Sequence, residues 1–301
     1  MTCILPPFLQ QGDVIGITAP ARKVSKEEMV PAKAFLEAAG FAVLEAPKLY
    51  SSHHQFAGSE TERISDFQFM LDHKQVKAIL CARGGYGSVR IIDQLDFSQF
   101  LKQPKWICGF SDVTVFHSHV HSNCHIATMH STLAFNIPKN SAAANSSFLC
   151  ALKGEKLHHC CASHPLNRQG RAQGELIGGN LSMLYSLLGS NSDINTDGKI
   201  LFIEDLDEYL YHIDRMMMNL KRNGKLSHLA GMVVGALSDM HDNTIPFGKT
   251  AEEIVAEHCA EYDYPICFNF PAGHIPHNHT LIFGHQNLLE VDDSICQLST
   301  L

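Results

Sequence analysis

The chain has 301 residues, 45% of them hydrophobic and 18% charged, enough for two domains that each bury a core and too apolar to include a large disordered tail. Its 31 acidic and 23 basic residues give a net charge of -8, and no Lys/Arg cluster tracks phosphates, which argues against nucleic acid as a partner. No apolar run is long enough for a membrane span, and no Cys-x-x-Cys spacing occurs among the ten cysteines. The opening Met1-Thr2-Cys3-Ile4-Leu5-Pro6-Pro7 lacks a basic region and is broken by two prolines, so a reducing, cytoplasmic location is expected.

Residues 13–19 (Asp-Val-Ile-Gly-Ile-Thr-Ala) read as a strand closed by Pro20. Ser25 followed by Glu28 is a capping-box pattern for a helix through Ala38, ended by Gly40. Residues 41–45 form a second strand, and Ser59-Glu60-Thr61-Glu62 opens a helix with Phe67, Met70 and Leu71 on one face. Strands at 76–82 and 106–108, a helix over 89–95 and another after Asp112 continue the alternation, which predicts a doubly wound α/β parallel sheet. From Asn136 to Gln173 the composition turns polar. The expected organisation is an N-terminal domain over 1–140, an interdomain crossing over 141–173 and a C-terminal domain over 174–301. In the last of these, strands are expected at 199–203, 231–235 and 265–270, with helices over 183–188, 213–222 and 251–261.

Gly109-Phe110-Ser111-Asp112 directly follows an apolar strand, and Arg83-Gly84-Gly85-Tyr86-Gly87 directly follows another. Consecutive parallel strands of one open sheet end side by side on the ligand crevice. Ser111 would there face glycine backbone N–H groups able to hold an oxyanion. A serine nucleophile also needs a base and a carboxylate to orient it. Glu204 follows one apolar strand and His274 lies past another. Plainer readings stand beside these: Ser111 as a helix N-cap, Glu204 as one acid among Asp205, Asp207 and Glu208, and His274 as one of 19 histidines. His117, His119, His121 and His125 alternate like metal ligands, with His277, His279 and His285 later. On the helix expected there, however, His117 and His121 share a face that His119 does not, so a metal is not expected. The glycine loop lacks the spacing of a nucleotide-phosphate cradle, and a non-enzymatic binding protein on the same fold would look similar.

Further motifs fall in order along nearly the whole chain. They are Gly12-Asp13, Thr18-Ala19-Pro20, Phe56-Ala57-Gly58 with Glu62-Arg63, the 83–87 loop with Arg90, and Gly109-Phe110-Ser111-Asp112. Gly178-Gly179-Asn180-Leu181, Glu204-Asp205 with Glu208, Ile213-Asp214-Arg215, and Gly273-His274 with Asn278 and Thr280 follow. In these the sequence resembles the serine LD-carboxypeptidases that trim muropeptides, together with their relatives that confer self-immunity to microcin-type antibiotics. The resemblance implies Ser111 as nucleophile, His274 as general base and Glu204 as its orienting carboxylate. It also implies an oxyanion hole from the backbone N–H groups of Gly85 and Asp112, and an interdomain cleft, where Arg83, Gly84, Tyr86 and Asn180 are expected to meet substrate. It further implies a Rossmann-like N-terminal domain with a smaller, mostly β C-terminal domain, a homodimer, and no metal or other cofactor. The substrate would be a tetrapeptide such as L-Ala-D-Glu-diaminopimelate-D-Ala. Position 113 is Val, so the turn is not the Gly-x-Ser-x-Gly elbow. The short segment 242–248 favours the muropeptide branch over the immunity branch.

Overall fold

The computed structural model describes residues 3–301, so Met1 and Thr2 of the opening stretch lie outside the described residues. The first unit runs β1 (Val14–Thr18), α1 (Lys26–Ala38), β2 (Ala42–Glu45), α2 (Glu60–Asp72), β3 (Val76–Cys81), α3 (Ser98–Lys102), β4 (Trp106–Gly109), α4 (Thr114–Cys124), β5 (Thr128–His130) and α5 (Ala142–Lys153). Both expected capping boxes form. The hydroxyls of Ser25 and Ser59 accept from the N–H groups of Glu28 and Glu62, whose carboxylates accept from the cap N–H groups in return. Strands β2-β1-β3-β4-β5 pair in parallel, and the strand order reverses between β1 and β3. Consecutive residues of β3 and β4 are buried, so both faces of the sheet are covered, and this is why the strands read as unbroken apolar runs.

The second unit contains β6 (His158–Ala162), β7 (Gly170–Asn180), α6 (Leu181–Leu187), β8 (Ile200–Leu206), α7 (Leu210–Arg222), β9 (Gly231–Ser238), α8 (Ala251–His258), β10 (Ile266–Cys267), β11 (Leu281–Phe283), β12 (Gln286–Val291) and β13 (Ile295–Thr300). Its seven-stranded sheet has the order β10-β9-β8-β7-β12-β13-β6. The long β7 joins two halves: residues 170–175 pair antiparallel with β12, and residues 176–180 pair parallel with β8. β11 instead returns to the first sheet and pairs antiparallel with β5, Leu281 opposite His130. That pairing ties the two units together by backbone hydrogen bonds.

Three expectations are corrected, and the segment expected to cross between the domains holds α5 and the sheet-edge strand β6. Residues 89–95 form two short 3-10 turns, Ser88–Arg90 and Ile92–Gln94, rather than one helix. The strand at 265–270 shrinks to Ile266–Cys267 and is followed by three more strands. Glu204 and Asp205 lie inside β8 rather than after it, because β8 is held on both sides, by β7 and β9.

Candidate active site

After β4 the chain enters the 3-10 turn Ser111–Val113, which feeds α4. Ser111 has φ 65°, a left-handed conformation that costs a non-glycine residue roughly 1–2 kcal/mol. Strain of this kind persists only where the surroundings enforce it, and here it falls on the candidate nucleophile. β3 ends alongside, and Gly84 packs directly on the serine. A Cβ at Gly84 would sit 3.0 Å from Ser111 Cβ and 3.1 Å from Oγ. Gly84→Ala therefore crowds the hydroxyl without backbone strain. We expect kcat to fall about 10- to 100-fold while the thermal midpoint moves little, a contrast that steady-state kinetics and a melting curve read together.

Two buried charged groups fix these loops. Arg63 on α2, 1% exposed, donates from Nη1 to the carbonyls of Pro20 (2.6 Å) and Gly87 (2.9 Å), pinning the loop after β1 to the glycine loop. Asp112 Oδ2 accepts from Ser88 N–H at 2.8 Å, pinning the glycine loop to the serine turn. Burial raises the Asp112 carboxyl above its ordinary range, although hydrogen bonds from Ser88 and Gly87 oppose the shift. Among the described residues, neither Gly85 N–H nor Asp112 N–H donates to a backbone carbonyl.

Glu204 is fully buried in β8, and the loop after β10 brings His274 to it. Gly273 makes the approach possible: it has φ 115°, and a Cβ there would lie 2.9 Å from both Glu204 Cβ and Oε2. Its N–H is held by Asn278 Oδ1 at 2.8 Å. His274 Nδ1 donates to Glu204 Oε2 at 2.6 Å. Burial alone would push the Glu204 carboxyl up, but the attraction of His274 and their hydrogen bond hold it below its ordinary range. Burial would likewise lower His274, yet the Glu204 charge and hydrogen bond raise it above the ordinary histidine value. With Nδ1 engaged, Nε2 is the ring nitrogen left for the cleft that His274 lines.

That cleft, about 420 Å³, is built from both units: Gly84, Gly85 and Ser111 from the first, Asn180, Asp205 and His274 from the second. Arg83 and Asp112 also line it, and Glu204 lies behind His274. Tyr86 is not part of the wall; it is 45% exposed, with its ring beside Phe56. Asn180 lines the cleft, but its amide is engaged, capping α6 through Met183 N–H, accepting from Ser182 Oγ and donating to Asp205 Oδ1 at 2.8 Å.

Arg22 and Asp205 are among the lining residues that the sequence did not single out. Arg22 stands in the loop after β1, and its signal was its place beside the strand-order reversal. Asp205 passed as one acid in a run, yet it is 1% exposed, and burial and the neighbouring Glu204 charge push it up to about 7. The α4 histidines part company: His117 bonds Thr128 and the Gly109 carbonyl, His119 bonds Ser192, and His121 bonds Glu175.

A histidine–carboxylate pair sharing a cleft with a strained serine, on a doubly wound sheet, is the equipment of a serine hydrolase. Family models of the LD-carboxypeptidase N-terminal and C-terminal domains match residues 15–131 and 173–289. A probable murein peptide carboxypeptidase of Bacillus subtilis is 35% identical over 278 residues, covering 89% of this chain and 86% of the relative. The crystal structure of muramoyltetrapeptide carboxypeptidase from Oxalobacter formigenes superposes with a TM-score of 0.86 at 26% identity, covering 95% of this chain and 98% of that one. The microcin C7 self-immunity protein, with a TM-score of 0.86 at 20% identity over 99% and 98% of the two chains, shares the fold. The chain belongs to the LD-carboxypeptidase family and is a serine-type carboxypeptidase.

Proposed function

We propose that the protein releases the terminal D-alanine from tetrapeptide muropeptides, with Ser111 as nucleophile, His274 as general base and Glu204 as the group that orients it. The observation that carries this reading is the 2.6 Å His274–Glu204 hydrogen bond at the back of the cleft that Ser111 lines. His274 Nε2 takes the Ser111 proton as Oγ attacks the carbonyl that precedes D-alanine. The oxyanion is received by the Gly85 and Asp112 N–H groups. His274 then returns the proton to the leaving amine, and water, deprotonated by the same nitrogen, hydrolyses the acyl-enzyme.

The charges of the cleft suit such a substrate. Arg22 and Arg83 offer guanidinium groups for the terminal carboxylate, and Arg83 is held by stacking on Phe135 (4.2 Å) and by Glu28 at 3.7 Å. Asp207 and Glu208 offer carboxylates for the free amine of a diaminopimelate side chain. The murein-peptide and muramoyltetrapeptide relatives support this branch by sequence, whereas the immunity protein supports the fold alone.

Two finer features belong to the same proposal: action in the cytoplasm and a homodimeric state. All ten cysteines are free thiols, consistent with a reducing compartment. No helix among the described residues is long and apolar enough to cross a membrane.

The test is D-alanine release from L-Ala-D-Glu-diaminopimelate-D-Ala, beside the same peptide ending in L-alanine, with and without EDTA. Release from the D-alanine peptide only, unchanged by EDTA, is expected. Release lost to EDTA would reject the serine mechanism. Preference for an aminoacyl sulfamoyl adenosine over the tetrapeptide would assign the immunity branch instead.

A further inference from the structure

The C-terminal sheet has β10 at one margin and β6 at the other, yet the margins approach each other. Arg168, between β6 and β7, exchanges both backbone hydrogen bonds with Ile266 of β10 at 3.0 Å each, and Phe268 N–H reaches Asn167 Oδ1 at 2.8 Å. The sheet is thus rolled nearly closed along a short seam. Beside that seam, three thiols from three strands converge.

Cys161 on β6 stands opposite Cys296 on β13, and Cys267 comes across from β10. The three sulfurs lie within 4.8 Å of one another, with Cys161 and Cys267 3.6 Å apart. Three sulfurs bound to one ion at about 2.3 Å lie about 4 Å from each other, so this spacing already matches a ligand set. Cys267 and Cys296 are buried and Cys161 is half-buried. Buried cysteines often serve as small hydrophobes, but two features set this group apart. Asn167 Nδ2 donates to Cys296 Sγ at 3.0 Å, an amide donor aimed at a sulfur, which favours thiolate. Asn167 also lines a cavity of about 390 Å³ with His164, Asp292 and Asp293, so the side chain that touches the Cys296 sulfur is itself reached from that cavity.

We propose that Cys161, Cys267 and Cys296 form a thiolate site for a soft divalent d10 cation, of the class of Zn²⁺ or Cd²⁺, that clamps the two margins of the C-terminal sheet. Binding is ligand exchange without electron transfer. The thiol protons leave to solvent, and three thiolates around a divalent ion keep one net negative charge, which the Asn167 amide faces. The ion joins segments far apart in sequence, so its binding energy becomes folding stability. The site shares no residue with the Ser111 cleft and is independent of the hydrolase reading.

The test titrates the reduced, metal-free full chain with Cd²⁺, following the sulfur-to-cadmium charge-transfer absorption and Tm. The expected result is saturation at one ion per chain and a Tm rise on the order of 5 °C at a hundredfold excess over Kd. Cys161→Ser, at the half-buried position, removes both signals and leaves D-alanine release at the wild-type rate. Cys3→Ser, which alters the separate Cys3–His121–Glu175 group, leaves both signals intact. The wild-type titration depends on no variant's folding: absence of the band in folded, reduced protein overturns the proposal. So does a band that survives Cys161→Ser or disappears with Cys3→Ser.

Discussion

Ser111→Ala lowers kcat for D-alanine release by about 10⁵- to 10⁶-fold, leaving only what the oxyanion donors and substrate binding supply. The expectation follows from position as well as chemistry. Ser111 is the first residue of the turn after β4, packed against Gly84 and lining the cleft shared with His274, whereas the other serine lining that cleft, Ser182, donates its hydroxyl to Asn180 Oδ1. The backbone adds an independent arm to the test. At φ 65° both serine and alanine are strained, whereas glycine is not. Ser111→Gly should therefore be as inactive as Ser111→Ala yet more stable than wild type by about 1 kcal/mol, a Tm gain of roughly 2–4 °C. Wild-type stability would then be lower than it could be because the serine is held in a strained pose. Activity above about 1% of wild type in Ser111→Ala would remove the serine from the mechanism.

The strands that position this serine were legible because their burial on both faces demands continuous apolar runs, as in 76–82 and 106–108, and short glycine-bearing loops follow them. The caps at Ser25 and Ser59 were legible because a capping box is local. What escaped was set by partners distant in sequence. The segment 89–95 has helical spacing, but Asp112 holds Ser88 N–H and Glu60 pairs with Arg90, so the segment is drawn into two tight turns. β6, with the sequence His-His-Cys-Cys-Ala, has little intrinsic strand preference and exists because β13 pairs with it. In the site, the sequence supplied Ser111 and His274 as strand-end residues but could not rank Glu204 above Asp205, Asp207 and Glu208 without the family resemblance. Geometry ranks them: Glu204 accepts from His274, Asp205 is bound to Asn180 and Ser182, Asp207 pairs with His241 and Glu208 with His212.

Glu204→Gln lowers kcat by about 10³- to 10⁴-fold with little change in KM, and it moves the acid limb of the rate profile to lower pH. A glutamine can present its oxygen to His274 Nδ1 only by placing its NH₂ group where Glu204 Oε1 now sits, a buried position with no hydrogen-bond partner among the described residues. Turned the other way, the amide donates to Nδ1 and leaves the proton on Nε2, the wrong tautomer for a base. His274 must be neutral to accept the serine proton, so the wild-type rate falls as pH drops through its raised pKa, which lies above the ordinary 6.5. Without the Glu204 charge and hydrogen bond, only the smaller pull of Asp205 opposes burial, the largest single influence on His274, and burial favours the neutral ring. The variant is thus slower at every pH yet keeps its residual rate to lower pH. Asp205→Asn provides the control. The Asp205 carboxyl, pushed up to about 7, makes no hydrogen bond to His274 but adds a smaller electrostatic pull to that of Glu204, so its removal should cost less than about tenfold in kcat and move the acid limb less than Glu204→Gln does. If the acid limb stays in place in Glu204→Gln and moves in Asp205→Asn, the carboxylate that governs His274 is Asp205, and Glu204 is a structural acid of β8.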